Sequence, residues 1–142
     1  MSLNSNYVYP PSFGTIGQFA DDNLIADNSA DIIPWGVTLK AGAGVMRRGT
    51  VLGRITGKGT IDNPICKILD SGASDGSETP YGILADTVDT GDAPAVGGIA
   101  ATAYRTGIFN GNALIFNGAD TPDIFDAKLA NIGIFVSYNV SY

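Results

Sequence analysis

The side chains able to do chemistry in this chain are few, and their spacing suits none of the common reactions. There is no histidine, so the commonest general base and metal ligand is missing. Serine–histidine and cysteine–histidine nucleophiles are thereby excluded. The single cysteine, Cys66, sits in the apolar run Pro64-Ile65-Cys66-Lys67-Ile68-Leu69 and reads as a small buried hydrophobe. Carboxylate pairs remain. Asp21-Asp22 lies in an N-terminal stretch that cannot hold two carboxylates at a fixed separation. Asp70, Asp75 and Glu78 share one loop, but their spacing misses the Asp-x-Asp-x-Asp-Gly pattern of a calcium site. Gly42-Ala43-Gly44 is followed by neither dinucleotide-binding nor Walker spacing and reads as a turn between strands. No catalytic, cofactor-binding or metal-ligating residue is assigned, and no enzymatic activity is expected.

Binding chemistry is also sparse. Trp35, the only tryptophan, reads as a core or interface anchor rather than a sugar platform. Arg47, Arg48, Arg54 and Lys58 are the nearest approach to a basic patch and read as solvated charges beside a strand. With fourteen acidic residues against eight basic ones, the net charge of −6 opposes binding to nucleic-acid phosphates. The charged fraction is 15%, against roughly 25% in an average globular protein. So few charges fit an apolar face closed by a partner subunit, and an oligomer is expected; a surface rich in Gly, Ser, Thr and Asn would also serve. One cysteine cannot build a disulfide framework, so the fold needs no oxidising compartment. The opening Met1-Ser2-Leu3-Asn4-Ser5-Asn6 is polar and uncharged, unlike a secretory leader. No apolar run reaches the roughly 18 residues of a membrane span. A soluble protein made in a cytoplasm is expected.

At 142 residues the chain has room for one domain with a sizeable core. Residues 1–33 carry Pro10-Pro11, many Asn, Ser and Asp, and no 3.6-residue period, and read as an extended N-terminal arm, the alternative being an irregular segment folded back on its own domain. Asn6-Tyr7-Val8-Tyr9 is a short strand signal that the proline pair stops. Residues 34–142 read as a β-rich body. Strands are predicted over Trp35–Leu39, over Thr50–Thr56 with half-buried alternation, over Ile65–Leu69, and over Tyr81–Val88. Gly57-Lys58-Gly59 is a predicted turn, and 70–80 and 89–98 are predicted loops. Ile99–Arg105, small and apolar, reads as a buried strand. Asn110-Gly111 signals a hairpin between Ile108-Phe109 and Ala113–Phe116. One helix follows, with Thr121 as N-cap, Pro122 in the first turn, Phe125, Leu129 and Ile132 on one stripe, and Gly133 as the stop. The chain then ends in an alternating strand with Ile134, Val136, Tyr138, Val140 and Tyr142 on one face. The expected class is mainly β, a compact barrel- or sandwich-like body with one short C-terminal helix.

The run Gly44-Val45-Met46-Arg47-Arg48-Gly49-Thr50-Val51-Leu52-Gly53-Arg54-Ile55-Thr56, then an Asp/Gly/Ser loop, then Tyr81-Gly82-Ile83-Leu84-Ala85-Asp86, resembles the lambda-type head decoration proteins of tailed phages. Tyr104-Arg105-Thr106-Gly107-Ile108-Phe109-Asn110, followed by Ala113-Leu114, extends the likeness, as do the closing helix and strand. The resemblance covers about residues 34 to 136. It implies a homotrimer on the outer surface of the expanded capsid, assembled in the host cytoplasm. It also implies an N-terminal arm that adds to strands of the major capsid protein, and a clamp against the pressure of packaged DNA. The arm residues expected to grip are Tyr7, Val8, Tyr9, Phe13 and Ile16. No cofactor, membrane or nucleic acid is implied. The competing reading is a carbohydrate- or receptor-binding β-module of a virion fibre or tail, which would need an exposed aromatic such as Trp35 or Tyr104.

Overall fold

Adjacent apolar pairs decide the architecture. A strand with one buried face shows alternation, whereas a strand covered on both faces shows consecutive apolar residues. Val51-Leu52 and Ile83-Leu84 are such pairs, and all four side chains are fully buried. In the computed structural model, which describes residues 23–27, 29–92 and 98–138, the members of each pair enter two different cores. Val51 and Ile83 join Leu24, Leu69, Phe109, Leu114, Phe125, Leu129 and Ile134. Leu52 and Leu84 join Val37, Leu39, Met46, Cys66 and Ala103.

The described strands are β1 (Ile25–Asp27), β2 (Pro34–Leu39), β3 (Val45–Met46), β4 (Val51–Gly59), β5 (Pro64–Ile68), β6 (Pro80–Leu84), β7 (Val88–Asp89), β8 (Ile99–Tyr104), β9 (Gly107–Asn110) and β10 (Ile134–Ser137), with one helix, α1 (Pro122–Asn131). Five of them close a barrel in the order β2-β5-β4-β6-β8. Closure is made by β2, which runs antiparallel to β8 from Pro34↔Tyr104 to Leu39↔Ile99 and parallel to β5 at Thr38↔Ile65 and Leu39↔Cys66. A closed barrel leaves no sheet edge to aggregate. Beside it lies a three-stranded sheet in the order β1-β9-β10. β10 is parallel to β9, which a tight turn cannot achieve, and α1 lies in the connection between them. β3 and β7 form a separate two-stranded ribbon.

The mainly β body, the barrel and the short C-terminal helix are as expected. Thr121 occupies the N-cap with extended backbone, yet its hydroxyl makes no capping bond. Phe125 and Leu129 are buried, and Gly133 follows with φ +88°. Among the described residues no helix is long and apolar enough to cross a membrane.

Five local expectations change. β4 runs through the predicted turn at 57–59, and the reversal is made by Thr60 and Asn63, which exchange backbone hydrogen bonds of 3.2 Å. The left-handed Gly57 and Gly59 are absorbed as an irregularity in the β4–β5 register. The predicted strand 81–88 breaks after Leu84, because β7 leaves the barrel to pair with β3. β8 is buried only at Ala103; Ile99 and Ala100 are exposed. The Asn110-Gly111 hairpin does not form, because β9 already has β1 on one side and β10 on the other. Residues 113–116 turn away, and Ile115 bridges Thr50 instead. Last, residues 24–27, read from sequence as arm, lie in the body: Leu24 and Ala26 are buried, and β1 pairs with β9.

Candidate functional site

The end of the body where the chain enters it is built on β9. The Asn110 N–H donates to the Leu24 carbonyl at 2.7 Å, and the Gly111 N–H donates to the Ser137 carbonyl at 3.0 Å. Gly49 lets Leu24 and residue 113 close in: a β-carbon there would lie 2.5 Å from the Ala113 carbonyl oxygen and 3.4 Å from Leu24 Cδ1. Gly111 fits under the Tyr138 ring, which would be 2.6 Å from a β-carbon at that position. Tyr138 is 54% exposed, and Phe135, on β10, is 50% exposed. β10 is a sheet edge among the described strands. Tyr138 lies with Val136 on the side of β10 that covers Gly111, while alternation along the strand turns the exposed Phe135 to the other face. Tyr7, Val8, Tyr9, Phe13 and Ile16 lie outside the described residues.

The aromatic residues that a sugar site would need are engaged by the protein's own arginines. Arg105 sits 3.9 Å from the Tyr81 ring centroid and 5.6 Å from that of Trp35, and its guanidinium donates to the Tyr81 hydroxyl at 2.8 Å. Trp35 is half-buried and donates to the Ile61 carbonyl at 3.4 Å. Arg48 lies over Tyr104 at 5.4 Å and donates to its hydroxyl at 2.8 Å and to the Ala85 carbonyl at 2.6 Å. Tyr104 also stacks on Phe109. Each guanidinium packs over a π face and binds the ring's hydroxyl or a carbonyl, a structural use of both groups. Sequence reading missed these pairs. The signal was the dipeptide Tyr104-Arg105 on an alternating strand, which sends the ring to one core and the guanidinium to the barrel side.

The four basic residues therefore have separate settings. Arg48 turns inward, Arg54 lines a cleft of about 450 Å³ with Thr56, Glu78 and Tyr81, and Arg47 lines another of about 360 Å³ with Met46 and Ile115. Lys58 is on the exposed end of β4. Cys66 is fully buried in the barrel. Burial pushes its thiol up to about 12, although Arg54 and Arg105 pull the other way. The loop acids are spent on turns: Asp70 accepts from the Gly72 N–H at 2.9 Å, Glu78 from the Gly76 N–H at 2.9 Å, and Asp75 from the Ser77 hydroxyl at 2.6 Å. Asp75 also pairs with Lys67 at 2.9 Å. The Ser77 hydroxyl, then Lys67, hold its carboxyl well below the usual range. Among the described residues no group of three or more metal-ligating side chains could hold an ion.

A profile of the bacteriophage lambda head decoration protein D family matches residues 14–134. The chain belongs to that family. It is a phage head decoration protein, a structural component whose place is the virion capsid. The match spans both cores, the barrel and α1, and begins upstream of β1. No curated protein matches the chain.

Proposed function

We propose that this head decoration protein is a capsid clamp. It is made in the host cytoplasm and added to the outer surface of the expanded head as homotrimers. There its N-terminal arm adds to strands of the major capsid protein and braces the shell against the pressure of packaged DNA. The observation that carries the reading is the entry end of the body. The chain passes from Asn23 and Leu24 into β1, a strand hydrogen-bonded to β9, with β10 and the exposed Phe135 and Tyr138 on the opposite flank of β9. A pull on the arm is therefore a pull on the body's own sheet.

The gripping residues are Tyr7, Val8, Tyr9, Phe13 and Ile16. Burying each large apolar side chain contributes about 1.5–3 kcal/mol. Ordering the backbone costs about 1–2 kcal/mol per residue. One arm therefore holds weakly. Three arms on one trimer make the second and third contacts intramolecular, which raises avidity by a factor of about 10² or more. The low charged fraction supports a body whose sides are closed by sister subunits.

The test is truncation of residues 1–20, with binding to empty expanded capsids and thermal unfolding measured side by side. The melting temperature stays within a few degrees, because Leu24 and β1 remain, while capsid binding collapses. Tyr7→Ser with Tyr9→Ser reproduces most of that loss. Full-strength binding by the truncated protein, or isolated monomers spread over imaged shells, would overturn the reading.

A further inference from the structure

The chain contains two Asn-Gly pairs, Asn110-Gly111 and Asn117-Gly118. Such a pair can modify itself. With no side chain to block it, the glycine nitrogen attacks Cγ of the preceding asparagine. A C–N bond forms, the attacking nitrogen loses its proton to water or hydroxide, and the side-chain nitrogen leaves as ammonia. Water then opens the resulting cyclic imide at either carbonyl, giving aspartate or isoaspartate. Two conditions govern the step: the glycine N–H must be free to leave its hydrogen-bonding plane, and the asparagine side chain must be able to swing onto it.

The fold treats the two pairs oppositely. Asn110 is 1% exposed. Its own N–H is bound to the Leu24 carbonyl, its carbonyl accepts from the Ala113 N–H at 2.9 Å, and its side-chain oxygen accepts from the Asn112 N–H at 3.1 Å. The nitrogen that would attack, that of Gly111, is committed to the Ser137 carbonyl and covered by the Tyr138 ring. Every atom of the reaction is held away from it. At the second pair, Asn117 is half-exposed and Gly118 exposed. Gly118 is left-handed at φ +56°, and a β-carbon there would meet nothing within 4 Å. Among the described residues neither the Gly118 N–H nor the Asn117 side chain has a hydrogen-bond partner. The turn is pinned only at its base, by the Asp120 N–H on the Asn117 carbonyl at 3.0 Å, with Asp120 anchored in turn by Ser71.

We propose that Asn117-Gly118 is a self-modification site of the folded body, converting to aspartate and isoaspartate with loss of ammonia, and that the fold silences Asn110-Gly111. The product adds a negative charge to the cleft that Asn117 shares with Arg47, so this surface changes charge as the protein ages.

The experiment incubates the folded full-length protein in mildly alkaline buffer, with a parallel sample in guanidinium chloride. Both sites are followed by peptide mass spectrometry that separates aspartate from isoaspartate. In the folded sample Asn117 converts at least about tenfold faster than Asn110, because Asn110 must wait for a local opening and each ~1.4 kcal/mol of opening free energy slows it tenfold. In denaturant the two rates converge. Asn117→Gln removes the fast-forming acidic species seen on ion exchange and leaves the Asn110 rate unchanged. Equal rates at the two sites in the folded sample would overturn the proposal. So would an Asn117 that stays intact while the denatured sample converts.

Discussion

Two glycine-to-alanine changes, chemically identical, are expected to move stability in opposite directions. Gly53 lies on β4 where the 70–79 loop folds over the strand. A β-carbon there would collide with the Ser77 carbonyl oxygen and lie 2.7 Å from Ser77 Cα and 2.8 Å from its carbonyl carbon. All three are backbone atoms of a fully buried residue, so no flexible side chain can yield. Overpacking of this kind costs about 1–3 kcal/mol, occasionally more. Gly36, on β2, would place its β-carbon in open space. There alanine narrows the unfolded ensemble and gains about 0.5–1 kcal/mol. For a domain of this size 1 kcal/mol moves the melting temperature by about 3–6 °C. Gly53→Ala should therefore melt about 3–18 °C lower than the parent, and Gly36→Ala about 2–6 °C higher. Differential scanning calorimetry on the three proteins in one buffer, supported by urea midpoints, measures both. A Gly53→Ala protein at or above the parent's melting temperature would refute the packing of the loop on β4. A Gly36→Ala protein below the parent would refute the open face of β2.

Cys66, raised to about 12 by burial, should resist thiol reagents at neutral pH until the protein unfolds, and Cys66→Ala should cost about 1–3 kcal/mol in a urea titration; rapid labelling of the native protein would contradict burial. Asp75, depressed in the fold by Ser77 and Lys67, favours the folded state fully above the unfolded pKa of about 3.9. That contribution fades as pH falls through the lower folded value. Asp75→Asn should thus lower the urea midpoint slightly at neutral pH and flatten its fall below pH ~4. A variant whose midpoint tracks the parent at every pH would show that the carboxylate does not hold the loop.

What was legible in the sequence was what local physics decides. α1 announced itself through Pro122, its stripe of Phe125 and Leu129, and Gly133, all within one segment. Most barrel strands showed in their apolar runs and their bounding glycines. Pairing was not legible. Nothing near Asn110-Gly111 tells that β9 will already be flanked by β1 and β10, so a good hairpin signal lost to distant partners. The place of Leu24 in the core was equally hidden, because its partners, Val51, Ile83 and Phe109 among them, are spread through the chain. The site followed the same rule. The absence of histidine is a matter of residue type alone, whereas the packing of Arg48 and Arg105 over aromatic rings depends on which strand faces which core.

The three-stranded sheet also describes a load path. β1 meets β9 side by side, and β9 carries β10 on its other flank. Tension applied at Asn23 along β1 runs parallel to the strand and across its hydrogen bonds. Those bonds, with the buried Leu24 and Ala26, must slide together rather than unzip singly. The force then passes through β9 to β10 and α1, whose Phe125 and Leu129 anchor it in the core shared with Val51 and Ile83. The barrel strands β4 and β6 thereby stand behind the entry strand as its backing. A load applied at Asn23 would therefore meet the stiffness of the whole body rather than that of one short strand.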